Sequence, residues 1–170
     1  MGNRAVVLFA NRTSVSCATY LHWNGGPESV YPLLDELDRR GIDADTTFQP
    51  ARFIQIAGEF FDQDRHSTYH LRVFNAPRIP EGWFVRALEP HHFGGLNHGD
   101  NGVYLVDRSG DRRCVRRFLS TGYASNDTRR LYELSPAQVE TERQAAYRHP
   151  YNTGANTIAA YFSRERKPVA

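Results

Sequence analysis

The eleven residues Tyr20-Leu21-His22-Trp23-Asn24-Gly25-Gly26-Pro27-Glu28-Ser29-Val30 carry an apolar run into a helix start with almost no chain between the two. A strand ending at Trp23 and a helix beginning at Pro27 leave only Asn24, Gly25 and Gly26 to turn the backbone. Two glycines make left-handed or tight conformations cheap there. Pro27 suits the first helical position, Glu28 favours the positive N-terminal end, and Val30, Leu33, Leu34 and Leu37 recur at helical spacing before Arg39-Arg40-Gly41 closes the helix. The uncapped N–H groups at the helix start, with Trp23, Asn24, Gly25 and Gly26 around them and His22 beside them, form a candidate ligand seat for an anion or carboxylate. The spacing is neither a Walker loop nor a dinucleotide fingerprint. The same residues also read as a strand-to-helix turn in which Trp23 packs and His22 finds a hydrogen bond.

The remaining pattern predicts one α+β domain over residues 1–150. Strands at Arg4–Ala10 and Val15–Trp23 pair as a hairpin around Asn11-Arg12-Thr13. A second helix runs from Phe48 to Phe61, with Thr46 or Thr47 as cap and Phe53, Ala57, Phe60 and Phe61 on one face. After a polar break at Asp62–Ser67 comes a strand at Thr68–Asn75, then a proline-punctuated stretch whose Trp83, Phe84 and Leu88 plug the core. Val103–Asp107 and Arg113–Leu119 form a second hairpin, and Ser135-Pro136 opens a helix reaching Arg148. The expectation is two antiparallel hairpins and a further strand against about three helices. Residues 151–170 read as a peripheral segment with a loose charged tail.

A chain of 170 residues, 40% hydrophobic and 24% charged, is enough for one respectable core. The net charge of +2 makes no strong case for nucleic acid. Arginine carries nearly all the positive charge, Lys167 being the only lysine, a bias that base composition of the genome explains as well as planar anion recognition does. Cys17 and Cys114 stand far apart in no redox or zinc motif. With no signal-peptide stretch or membrane-length apolar segment, the expected location is the cytoplasm, with no membrane partner.

Two further concentrations of residues bear on chemistry. The loop Pro90–Gly102 holds His91, His92, His98 and Asp100 among glycines, donors suited in kind to zinc, manganese or iron, but at the spacing of no defined motif, so no metal is assigned. Asp100-Asn101-Gly102 is also plain turn chemistry ahead of a strand. If the two loops meet, His22 is the candidate general acid or base, with His98 and Asp100 as orienting partners and the Gly25-Gly26 turn holding an anionic substrate. The Arg108–Arg117 hairpin is the other concentration. Arg112, Arg113, Arg116 and Arg117 there are candidates for contact with a polyanion or an acidic partner, or charges guarding an edge strand. Alternation puts Arg113 and Arg117 on one face with Val115, and Arg116 on the other with Phe118.

The stretch from Tyr20 to Val30 resembles the Tyr-x-His-Trp-Asp-Gly-x-Pro-Glu-x-Val segment of small phage- and plasmid-borne proteins. Asn24 stands where that segment has aspartate, and Gly26 where it has an aromatic residue. The resemblance covers about the first quarter of the chain and implies an accessory protein of a mobile element, of a kind that acts by binding and blocking a host component. Three functions follow from the sequence. One is a module that binds a protein partner; a second is a small hydrolase or transferase acting on a nucleotide or phosphate ester through His22; a third is a nucleic-acid binder using the arginine hairpin. No cofactor class and no oligomeric state follow.

Overall fold

A computed structural model describes residues 3–41, 48–61, 71–77, 84–98, 100–110, 112–120, 130–149 and 158–164. Expectations placed on Thr46, Thr47, the break at Asp62–Ser67 and Trp83 fall outside them. The α+β class holds, and the strands join in one six-stranded sheet. These are β1 (Ala5–Ala10), β2 (Ala18–Leu21), β3 (Leu71–Phe74), β4 (Val103–Asp107), β5 (Cys114–Ser120) and β6 (Leu131–Glu133), in the order β3-β2-β1-β4-β5-β6. β1 and β4 run parallel, Val6 opposite Val103, and every other neighbouring pair is antiparallel. The unbroken apolar run Ala5-Val6-Val7-Leu8-Phe9-Ala10 explains the central place of β1, since every one of its side chains is buried and a strand covered on both faces has no use for polar alternation.

Alternation along the strands divides the interior into two cores. Ala5, Val7, Phe9, Leu21, Tyr104 and Val106 face a helical layer. Among the described residues it comprises α1 (Pro27–Arg39), α2 (Gln49–Phe61), α3 (Pro136–Arg148) and α4 (Ile158–Arg164). α1 touches each of the other three. Val30, Leu33, Leu34 and Leu37 are the buried stripe of α1, and the helix continues through Pro32 although proline has no N–H to give its turn. Ser135 caps α3 by accepting from Gln138 N while the Gln138 side chain accepts from Ser135 N. Val6, Leu8, Ala18, Tyr20, Val103, Leu105 and Phe118 face the other side, where Val85, Leu88 and Phe93 of two short 3-10 turns cover them.

Several particulars differ from the sequence pattern. The second strand ends at Leu21, so His22 and Trp23 belong to the turn. β6 lacks a sequence signal because it is three residues long and half exposed. Of the residues expected to plug the core, Leu88 is buried but Phe84 is 50% exposed. The expectation of a peripheral segment after Pro150 does not hold for α4, whose Ile158 and Phe162 enter the helical core.

Among the described residues one charged side chain, Arg117, is fully inside. Arg117 on β5 is 0% exposed and lies with its guanidinium 3.5 Å from the centre of the Tyr104 ring. It donates to Glu142 of α3 through Nε (2.9 Å) and Nη2 (3.2 Å), and through Nη1 to the carbonyls of Asn101 (2.7 Å) and Val103 (3.1 Å). Tyr31 of α1 donates to the same carboxylate at 3.0 Å. Burial, reinforced by Glu142, holds the Tyr31 phenol well above its ordinary range, so it stays a donor. Four elements thus meet on one ion pair. Arg117→Leu is expected to lower unfolding free energy by about 3–5 kcal/mol, since it strands Glu142 beside an apolar core. Adding Glu142→Leu should recover part of that loss; urea unfolding of the two single variants and the double variant measures both effects.

Candidate functional site

The turn after β2 is held at nearly every residue. Tyr20 Oη and His22 Nδ1 are 3.0 Å apart, which fixes the imidazole under the strand end. Asn24 takes a left-handed backbone, φ 58°, a conformation asparagine tolerates better than most residues. Gly25 N donates to Asn3 O at 2.8 Å, and Tyr104 Oη donates to Gly25 O at 3.1 Å. A Cβ on Gly25 would come within 2.5 Å of Ala5 N, so glycine is required by the close approach of two backbones. Glu28 folds its carboxylate back over Gly26 and accepts from Asn3 Nδ2 at 3.1 Å. The helix start therefore already has an anion beside it, one of the chain's own. Trp23 is 41% exposed and edge-on to His22 at 5.2 Å between ring centres.

The two loops singled out from sequence do meet, and Tyr20 is where they meet. Its ring lies 6.0 Å from that of His22 and 5.3 Å from that of His98, and His98 stacks on Phe74 of β3 at 4.7 Å. Asp100 turns elsewhere, accepting from Arg4 N at 3.3 Å and pairing with Arg4 Nε at 3.6 Å. Its own backbone has φ 25°. Asn101 N donates to Arg4 O at 2.9 Å and the Asn101 amide to Asn3 Oδ1, which ties this turn to the start of β1. His91 and His92 stack on each other at 3.9 Å, and His92 Nδ1 accepts from Glu89 N at 3.0 Å as part of a capping box. Among the described residues no three His, Cys, Asp or Glu side chains gather to hold a metal ion.

The hairpin arginines are engaged within the fold. Arg113 pairs with Asp35 at 2.5 Å and Asp38 at 2.7 Å on α1, and Arg108 also reaches Asp38. Arg116 binds Glu133 at 2.6 Å and donates to the carbonyls of Val85 and Leu88. Arg117 is the buried ion pair described above, and Arg112 remains on the surface. The facial split expected from alternation holds, with Arg113 and Arg117 directed to the helical layer and Arg116 to the 3-10 turns.

In comparisons with family models, curated proteins and solved structures, nothing matches this chain. The site has to be argued from its residues. Tyr20, Phe74 and Arg4 organise it and are missed by motif reading. Tyr20 was nevertheless accessible, because residues two apart at a strand end share a face and Tyr20 and His22 have that spacing.

Burial first, and the neighbouring Arg4 second, hold the His98 imidazole below its ordinary value of 6.5. Below that value the unfolded chain binds more protons than the folded one, so stability is fully present above it and falls as pH drops toward the folded pKa. Thermal midpoints measured from about pH 7.5 to about pH 5 should decline, and His98→Gln should flatten that decline. Gly25→Ala should cost about 1–3 kcal/mol in urea unfolding, the penalty of forcing a methyl group against β1.

Proposed function

We propose that this chain is a binding module that docks on a protein partner, with Trp23 as its anchor. The observation that carries this reading is the exposure of a large aromatic on a fixed support: His22, Asn24, Gly25 and Glu28 build the turn, and Trp23 on it is 41% exposed. A large aromatic side chain on a stiff support loses little freedom on binding, and tryptophan is among the residues that most often dominate an interface. His22 lies edge-on to Trp23, and buried Tyr20 joins His22 to His98 and Phe74, so the support of Trp23 is a run of aromatic and imidazole rings. The resemblance of the Tyr20–Val30 stretch to small proteins of mobile elements supports an accessory, blocking role.

The other two readings find less support in the geometry. An anionic substrate at the helix start would have to displace the Glu28 carboxylate, and Asp100, expected with His98 to orient His22, is engaged with Arg4. A polyanion at the hairpin would compete with Asp35, Asp38, Glu133 and Glu142 for the arginines.

Trp23→Ala is expected to weaken capture of the partner from cell lysate by about 30-fold or more, the loss that a hot-spot anchor worth about 2 kcal/mol implies. The thermal midpoint should be unchanged, and Trp23→Phe should retain part of the binding. Capture that is indifferent to both substitutions would remove Trp23 from the interface and this reading with it.

A further inference from the structure

The opposite end of β1 carries a second feature. β1 and β4 are the parallel pair of the sheet, and a cleft of about 460 Å³ opens where they end, lined by Arg12, Phe84, Asp107, Ser109 and Gly110. Ligands of open α/β sheets gather beyond the carboxyl ends of parallel strands, and about 300–1,000 Å³ is the usual range for a small-molecule site. The lining is fixed by backbone. Asn11 Oδ1 accepts from Thr13 N (3.0 Å), Ser14 N (2.9 Å) and Ser14 Oγ (2.9 Å), closing the turn that carries Arg12. Val85 N donates to Arg12 O at 3.1 Å, which sets Phe84 beside Arg12, while buried Val85 and Leu88 anchor the segment behind it.

The chemistry of the lining is specific. Arg12 has no carboxylate partner among the described residues, unlike Arg108, Arg113, Arg116 and Arg117 on the neighbouring hairpin. Phe84 exposes half its surface. Asp107 Oδ1 accepts from Ser109 N at 2.7 Å and Ser109 Oγ at 2.5 Å, which orients the carboxylate and leaves Oδ2 with no donor among the described residues. A cation for an anion, a ring face for stacking and an aligned acceptor for an O–H or N–H donor stand around one cavity.

We propose that this cleft binds a free nucleoside monophosphate, with the base against Phe84, the phosphate on Arg12 and a sugar hydroxyl or base amino group on Asp107. The site is separate from Trp23, at the other end of β1 about 17 Å away by the rise of a strand, so either assignment can fail without the other.

Calorimetric titration of the full chain with AMP, GMP, CMP and UMP, and with the matching nucleosides, tests it. At least one nucleotide should bind, with its nucleoside about tenfold weaker. Arg12→Ala should bring the nucleotide down to the affinity of the nucleoside, and Phe84→Ala should weaken both about tenfold while Phe84→Tyr preserves them. Trp23→Ala should leave the titration unchanged. Circular dichroism checks that each variant is folded; should Phe84→Ala fail that check, Arg12→Ala and Phe84→Tyr carry the decision. Absence of binding for all four nucleotides at millimolar concentration overturns the proposal, as does binding that ignores both Arg12 and Phe84. Binding of a single-stranded oligonucleotide in place of every mononucleotide overturns it too.

Discussion

The Arg117–Glu142 pair connects parts of the chain that hydrophobic packing alone leaves loosely joined. α3 buries only Ala146 against the core, so its attachment rests on polar contacts: Glu142 with Arg117 and Tyr31, and Tyr147 and Arg143 with Asp35. Such a pair costs desolvation when it forms, and the three extra acceptors and donors around it are what make the burial tolerable. Its reach extends past α3. The two carbonyls that Arg117 Nη1 holds, Asn101 and Val103, belong to the turn that also grips Asn3 and Arg4. The guanidinium therefore helps set the position of Asp100 and of the chain leading from His98.

The two ends of β1 are built on different principles. At its start, three segments lock each other through main-chain and amide contacts, and strained backbone at Asn24 and Asp100 is tolerated because the surroundings leave no alternative. At its far end Arg12 and Asp107 line a cleft. A stiff end that presents a side chain and an open end that can admit a molecule are different tools, and one central strand gives the chain both.

Much of this was readable in advance, and the gaps have physical causes. α1 announced itself through Pro27 and its leucine spacing, and α3 through Ser135-Pro136, because capping chemistry is local. The parallel pairing of β1 with β4 was not legible, since pairing across such a distance leaves no local mark. α4 was overlooked because the polar residues around it masked a two-residue buried stripe, Ile158 and Phe162. The link between His22 and His98 leaves no mark in the sequence, because it runs through Tyr20, whose ring lies on the second core face. The arginine hairpin was read as surface charge because a sequence shows charges without their partners, and here the partners, Asp35, Asp38 and Glu142, lie on helices from both halves of the chain.

The parallel register also sets the order in which the molecule can be made. Val6 finds its partner in Val103, so the middle of the sheet stays open on one side until more than half the polypeptide has left the ribosome. Until then β1 offers a six-residue apolar ribbon with an unpaired edge, the kind of segment that templates association between chains. What ends this exposure is the arrival of β4, followed at once by a hairpin laden with arginine. The arginines come off only after β4 and so cannot guard β1 while it waits; Asp35 and Asp38 are by then already made, and Arg113 can pass straight into its ion pairs with α1.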